Sequence, residues 1–276
     1  MLDIPQYERN SAVKEFFGID GFSRAPEGFM SWQHLVFVTS LVVVMIALAV
    51  VLGIKNRGKD LKAKNKIIIY SAIFIDAVEI FKIIIFYIRS DGSFDWGNVL
   101  PLFLCSIQLF TIPLAAFSNG RLKEAALDFV FIFGLLGALL GTYGAGQNYD
   151  CYPVLSIDNV ASGITHCISG FASLYIVISG MASMKRRNMH ITFGIIGVVS
   201  VLAYTAGALL DKNYMFLFRG DGTPYDIVFN FVGKSPVLYP IAVILLFVIY
   251  MALFYFCYYL GASKSRRALK SNAARL

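Results

Sequence analysis

Charged residues are scarce in this sequence, and their scarcity excludes most soluble folds. Of the 276 residues only 15% are Asp, Glu, Lys or Arg, whereas 58% are hydrophobic, and the mean hydropathy is +0.68. A soluble core of this size cannot hide so much apolar surface. The apolar runs are long and uninterrupted, which favours transmembrane helices over a membrane β-barrel. We therefore expect an all-α, polytopic membrane protein without a soluble domain.

Further shortages exclude particular kinds of site. Only three histidines are present, and His190 is predicted on the opposite side of the membrane from His34 and His166, so no metal site is expected. The last apolar run has no lysine that could form a Schiff base with retinal, which argues against a retinal photoreceptor. The four cysteines offer no obvious disulfide framework, and no cofactor is predicted. The first residues also lack the basic-then-apolar order of a cleavable signal peptide.

Seven apolar runs of about 20 residues are long enough to cross a membrane as helices. They lie at roughly Trp32–Ile54, Ile67–Ile88, Val99–Ser118, Glu124–Gly144, Val160–Ser183, His190–Leu210 and Pro236–Leu260. The connection 55–66, the later alternate connections and the C-terminal tail together hold sixteen Lys and Arg residues, and the other side holds seven. The positive-inside rule therefore predicts an N-terminus outside and a C-terminus in the cytoplasm. The same clusters explain the net charge of +7 without nucleic-acid binding.

This topology divides the chain into three regions. Residues 1–31 form an extracytoplasmic segment, residues 32–260 a seven-helix transmembrane domain and residues 261–276 a basic cytoplasmic tail. Residues 5–22 mix aromatic and charged side chains, which suits either a segment lying along the outer interface or a disordered tail. Gly137 and Gly141, four residues apart, predict close approach of another helix. We expect a multi-pass protein of the plasma membrane.

Three ionisable residues interrupt the second apolar run. Asp76, Glu79 and Lys82 are spaced by three residues and therefore lie along roughly one helix face. Ionisable groups inside a membrane are costly and are functional candidates by default. Two interpretations stay open: a self-neutralised stripe buried against the bundle, or a site for a substrate or a lipid headgroup.

A cysteine and a histidine are predicted at one depth. Cys105 and His166 each follow the predicted outer end of a run by six residues, or roughly 9 Å at the helical rise. A thiol beside an imidazole can act as nucleophile and general base in acyl transfer. The alternative is that Cys105 packs as a small hydrophobe and that His166 only bridges helices.

Four other polar residues are predicted near the same outer level. His34 lies at the start of the first run, Asn213 and Tyr214 follow the sixth, and Gln108 falls three residues after Cys105, on the same face of a continuous helix. Gln108 could bind a carbonyl or orient a ring nitrogen. Together with Glu79 and Lys82, these four are the candidate substrate-binding residues.

Four stretches, in order along the chain, resemble a known family. They are Leu-Pro-Leu-Phe-Leu-Cys-Ser-Ile at 100–107, His166, Asn-Tyr-Met-Phe-Leu at 213–217 and Gly-Lys-Ser-Pro at 233–236. The sequence resembles the YwaF-type integral membrane proteins of bacteria, which are related to animal transmembrane protein 164.

The resemblance implies a seven-helix fold and a cysteine-dependent acyltransferase that moves a fatty acyl chain between phospholipids, including ether lysophospholipids. Cys105 matches the family's cysteine and His166 its accompanying histidine. The family often has histidine where this chain has Phe103 and an acidic residue where it has Ser106. The tryptophans usual around the last proline are replaced by Ser235 and Val237.

Three hypotheses of function follow. The first is a transacylase that carries the acyl group as a Cys105 thioester, with membrane phospholipids or lysophospholipids as partners. The second is a binding or transport protein in which the charged stripe holds a polar or lipid ligand without catalysis. The third is a structural or regulatory membrane subunit. A cavity that reaches Cys105 would favour the first.

Overall fold

Helices are the only regular elements in residues 6–273, which the computed structural model describes. The α-helices are α1 Gln6–Phe17, α2 Trp32–Asn56, α3 Leu61–Arg89, α4 Gln108–Phe117, α5 Gly120–Tyr143, α6 Gly146–Cys151, α7 Ile157–Ile178, α8 Met189–Leu210, α9 Tyr225–Phe231 and α10 Leu238–Ala273. Short 3-10 helices lie at Trp96–Val99, Arg186–Asn188 and Tyr214–Phe216. The chain divides into a first unit that ends at Ser183 and a second that starts at Met184.

Polar side chains set the starts of three long helices. Ser31, Asp60 and Ser156 precede α2, α3 and α7, and each accepts a hydrogen bond from a backbone N–H in the first helical turn. Such N-caps satisfy donors that have no partner within the helix. The apolar runs that follow then continue as helix because every backbone bond is made inside the segment.

Five helical segments in the described part of the chain are long and apolar enough to cross a membrane. They are Trp32–Asn56, Gly120–Cys151, Ile157–Ile178, Arg186–Leu210 and Leu238–Gly261. Each overlaps one predicted run, which confirms a membrane protein with several spans. The remaining two runs differ: α3 is long but carries the three ionisable residues of the second run, and α4 has only ten residues.

The prediction of a continuous helix from Val99 to Ser118 is wrong for its first half. The α-helix begins only at Gln108. Leu100 is extended, with φ −64° and ψ 130°, as expected for a residue that precedes a proline, here Pro101. The helical rise therefore does not give the depth of Cys105, and Cys105 and Gln108 do not share a helix face.

Small residues bring α5 and α7 close together in the first unit. A Cβ added at Gly134 of α5 would lie 2.6 Å from the Ser169 carbonyl oxygen of α7, and one added at Gly170 would lie 2.6 Å from the Ala138 Cβ. Backbones that approach this closely pack well without a hydrophobic driving force from water. The helices α2, α3 and α4 pack around this pair.

The N-terminal segment folds back onto the ends of α3 and α7. The rings of Phe17 and Phe81 are 6.2 Å apart, and the Arg89 guanidinium lies 5.2 Å from the ring of Phe22. Arg89 also donates hydrogen bonds to both carboxylate oxygens of the buried Asp158, at 3.0 and 2.8 Å. The described part of the predicted interfacial segment is thus a packed helix and turn, and residues 1–5 lie outside the described range.

Within the second unit, α10 makes polar contacts with α8 and with the segment that precedes α8. The Tyr255 hydroxyl donates to the Thr192 hydroxyl at 3.3 Å, and the Tyr259 hydroxyl donates to the Met184 carbonyl. Helix α10 continues to Ala273, so most of the predicted tail 261–276 extends the last helix, and residues 274–276 lie outside the described range.

Candidate active site

A cavity of about 290 Å³ lies in the first unit. Its walls come from α3, from the irregular segment 98–106, from the first turn of α4, from α6 and from α7. Both predicted catalytic residues, Cys105 and His166, line it, as do Glu79 and Lys82. The structure therefore brings four of the eight predicted site residues to one cavity.

Cys105 is held by the irregular segment rather than by a helix. The Ser106 hydroxyl donates to the Phe103 carbonyl and accepts from the Phe103 N–H, both at 3.1 Å, a local bonding pattern that is common for serine. These bonds close a tight turn around Cys105. Its sulfur is a free thiol, and the residue is partly exposed to the cavity.

His166 projects from α7 across a glycine of α5. A Cβ added at Gly141 would lie 2.1 to 2.4 Å from three atoms of the His166 ring, so the imidazole occupies the space that a side chain would take. One turn earlier, a Cβ at Gly137 would be 3.9 Å from the Cys105 Cα. Gly141, one of the two glycines predicted to allow the approach of another helix, thus makes room for the His166 ring, and Gly137 is in ordinary contact with Cys105.

The thiol and the imidazole share the cavity without sharing a hydrogen bond. No hydrogen bond between Cys105 and His166 is present among the residues that the structure describes, although both line the cavity. Hydrogen bonds between catalytic groups are often long or unformed without substrate and tighten only in the complex. The arrangement is compatible with a nucleophile and a base that act on one bound molecule.

An ion pair lines the same cavity as the thiol and the imidazole. The Lys82 ammonium lies 2.7 Å from a Glu79 carboxylate oxygen, and their side chains are only 18% and 14% exposed. The pair lies on one face of α3, as the spacing predicted. Asp76, the third member of the predicted stripe, is partly buried but does not line the cavity.

A polar stripe on α7 was missed by the sequence reasoning. Ser162, Thr165 and Ser169 line the cavity together with His166. In chain order the four residues are spaced i, i+3, i+4 and i+7, which is one face of a helix. The Thr165 and Ser169 hydroxyls donate to carbonyls of their own helix, so their oxygens remain available as acceptors. A polar stripe with helical spacing in an apolar run was the signal that could have revealed it.

His34 and Gln108 lie outside the cavity walls. The Met30 N–H donates to His34 Nδ1 at 3.1 Å, so Nε2 carries the proton and donates to the Thr142 carbonyl at 3.1 Å. Both ring nitrogens are thus used by the protein itself: Nδ1 holds the turn before α2, and Nε2 joins α2 to α5. Gln108 is buried and accepts a hydrogen bond from the Thr111 hydroxyl, while its Nε2 has no partner.

Asn213 and Tyr214 belong to the second unit. The Asn213 amide donates to the Arg219 carbonyl and to the Asp221 carboxylate at 2.7 and 2.8 Å, and its oxygen accepts from the Phe218 N–H. Its amide therefore organises the loop after α8. Tyr214 is fully buried in this unit.

Comparison with protein families gives a match over most of the chain. The TMEM164 family profile matches residues 29–259, which is most of the chain and includes every predicted site residue. The chain belongs to the TMEM164 family. The match confirms the relation to transmembrane protein 164 that the sequence motifs predicted, and it agrees with a multi-pass membrane protein. Neither the curated proteins nor the solved structures gave a match.

No metal centre is found in the described part of the chain. Within it, no three His, Cys, Asp or Glu side chains come together as ligands would have to. The cavity offers instead one thiol, one imidazole, one ion pair and several hydroxyls and amides. This set can carry out covalent acyl transfer or bind a polar ligand, and both possibilities use only groups of the protein itself.

Proposed function

We propose that this protein is a phospholipid transacylase that carries a fatty acyl group as a thioester on Cys105. The observation that carries the proposal is that a free thiol and an imidazole line one cavity of about 290 Å³. The family membership gives additional support. The partners are membrane phospholipids and lysophospholipids, and no cofactor takes part.

The proposed topology has seven crossings, with the N-terminus outside, in the plasma membrane. Five crossings correspond to the long apolar segments. Helix α3 is the second, since its Glu79 and Lys82 line the cavity and neutralise each other. The third is the irregular segment followed by α4, because backbone that is not helical is tolerated at membrane depth where it lines a cavity.

The first half-reaction transfers the acyl group to the enzyme. His166 takes the thiol proton of Cys105, and the sulfur attacks the ester carbonyl of a donor phospholipid. The ester C–O bond then breaks, the leaving alkoxide takes the proton from His166, and a lysophospholipid departs. Asn148, which lines the cavity, is the donor that we assign to the carbonyl oxygen in place of Gln108.

The second half-reaction reverses these steps with a new acceptor. The hydroxyl of an acceptor lysophospholipid gives its proton to His166 and attacks the thioester carbonyl. The C–S bond breaks, and the thiolate regains the proton from the imidazolium. Atoms and charges balance over the cycle, so neither ATP nor coenzyme A is consumed.

Intact mass spectrometry tests the covalent step. After incubation with phospholipid, the wild-type protein should gain the mass of one acyl chain, and Cys105→Ala should not. Cys167→Ala is the matched control, because Cys167 is a buried free thiol that does not line the cavity. An adduct that Cys105→Ala retains, or folded wild-type protein that forms none with any phospholipid, would refute the transacylase.

The charged pair favours one alternative function, a binding or transport protein without catalysis. Glu79 and Lys82 could hold a polar ligand in the cavity whether or not Cys105 reacts. Ligand-dependent stabilisation without any acyl adduct would support this alternative.

A further inference from the structure

Two opposite charges face one cavity beside the proposed nucleophile. Glu79 and Lys82 are the only charged side chains among the described residues that line it. Each is mostly withdrawn from solvent, and the pair is closed at 2.7 Å. Removing two charges from water is costly, and their mutual pairing offsets part of that cost.

We infer that this pair binds the headgroup of a zwitterionic phospholipid, with Lys82 on the phosphate and Glu79 on the ammonium. The inference rests on the proposed function only in taking this lipid as the acyl donor or acceptor. It adds a selectivity for the headgroup that neither the motifs nor the family supplies.

Charge conservation is the reason for a zwitterion. When a zwitterion enters, Lys82 exchanges the Glu79 carboxylate for the ligand's phosphate, and Glu79 exchanges the Lys82 ammonium for the ligand's ammonium. The cavity therefore keeps its net charge of zero. A singly charged ligand would pair one side chain and leave the other without a partner at low exposure, which is strongly unfavourable. The cavity should therefore discriminate against anionic and cationic lipids alike.

The spacing and the surroundings fit such a ligand. Side chains three residues apart on a helix have Cβ atoms about 5–6 Å apart, which suits two charges joined by a short linker. The Lys82 ammonium lies 5.8 Å from the ring centre of Phe86, which also lines the cavity. That ring face already receives one cation, and it can receive the ammonium of a ligand in the same way.

The volume of the cavity suits the polar end of a lipid. At about 290 Å³ it lies near the lower end of the range of about 300–1,000 Å³ that is usual for ligand pockets. A site of this size can take a small polar group such as a phospholipid headgroup. A headgroup held by Glu79 and Lys82 would leave the glycerol esters in the same cavity as Cys105.

Lipid binding to the Cys105→Ala protein in nanodiscs provides the test, because this variant cannot turn over. Native mass spectrometry would compare three lysophospholipids that have the same acyl chain and differ in the headgroup. The headgroups are zwitterionic phosphocholine, anionic glycerol phosphate and a cationic analogue. We expect the zwitterionic lipid to bind about tenfold more tightly than either charged one. Equal binding of the three lipids would overturn the inference.

Variants of the pair should change the preference in a defined direction. Glu79→Gln leaves Lys82 alone and should favour the anionic lipid, whereas Lys82→Met leaves Glu79 alone and should favour the cationic one. The double variant removes both charges and should bind the three lipids equally, and it remains informative if a single variant does not fold. The exchange Glu79→Lys with Lys82→Glu, which keeps the pair, is the control and should retain the zwitterionic preference. A double variant that keeps the preference would contradict the proposed site.

A soluble competitor identifies the source of the zwitterion. Free phosphocholine lacks an acyl chain and should displace the lysophospholipid only at concentrations at least about a hundredfold higher. Equal competition would show that a soluble zwitterion is the ligand and would overturn the lipid assignment. The proposed function can fail separately: headgroup selectivity without an acyl adduct would refute the transacylase alone, and an adduct without selectivity would refute this site alone.

Discussion

A methyl group added to Gly141 should displace the proposed base. In Gly141→Ala the new Cβ would lie 2.1 to 2.4 Å from atoms of the His166 ring, well inside van der Waals contact. The ring must leave its rotamer, at a cost of about 0.5–1.5 kcal/mol, or the helices must separate, at about 1–3 kcal/mol. Alanine recovers up to about 1 kcal/mol through its higher helix propensity. The protein should therefore stay folded, with the imidazole moved.

Gly137→Ala is the matched control, one turn away on the same helix. There the new Cβ would lie 3.9 Å from the Cys105 Cα, which is an ordinary contact. Because a positioned general base contributes about 10²- to 10⁴-fold, Gly141→Ala should slow formation of the acyl adduct by about that factor, and Gly137→Ala should leave it nearly unchanged. The rates would come from time-resolved intact mass spectrometry, with circular dichroism melts to check folding. Equal rates of adduct formation in the two folded variants would refute the packing of the His166 ring against Gly141.

Three further predictions concern stability and titration. Lys82→Met should lower the free energy of unfolding by about 1–3 kcal/mol by leaving Glu79 unpaired, and adding Glu79→Gln should recover most of the loss; additive losses in thermal melts would show that the two are not coupled. His34→Ala should destabilise the fold by about 2–4 kcal/mol while folded protein still forms the acyl adduct, and a lost adduct with an unchanged melt would contradict its structural role. Hydrogen bonds from the Ser23 backbone and hydroxyl lower the pKa of Glu15 below its ordinary 4.5, so the stabilisation from Glu15 should be complete above about pH 5 and be lost as the pH falls through the lowered pKa. A carbon-13 NMR titration of that carboxyl with a midpoint at or above 4.5 would contradict this.

The spans were predictable because the membrane imposes a local rule. A helix in hydrocarbon must satisfy its backbone within its own segment, so a run such as Trp32–Ile54 is sufficient to predict α2. The same rule made the charged stripe on α3 conspicuous. The late start of α4 at Gln108 was not predicted, although Pro101 and the polar Ser106 within the run were visible signals of an interruption.

The site was predictable only in part, because its geometry depends on contacts between helices. The shared level of Cys105 and His166 was inferred from helical rise, yet what brings them to one cavity is the glycine face of α5. His34 illustrates the opposite case. Its position near the same interface suggested a substrate contact, but its two ring nitrogens are used by the backbone of Met30 and Thr142. Periodicity within one helix carries no information on such partners.

The irregular segment before α4 shows how a serine can hold the turn around the cysteine at a position where the sequence resemblance leads us to expect an acidic residue. The Ser106 hydroxyl accepts the Phe103 N–H at 3.1 Å. A carboxylate at 106 would accept the same N–H, so the two residue types are equivalent as acceptors for this turn. The hydroxyl also donates to the Phe103 carbonyl, a bond that an ionised carboxylate cannot make. Serine therefore satisfies both polar groups of Phe103 without adding a charge beside Cys105, and the Glu79–Lys82 pair is left as the source of charge on the described cavity wall.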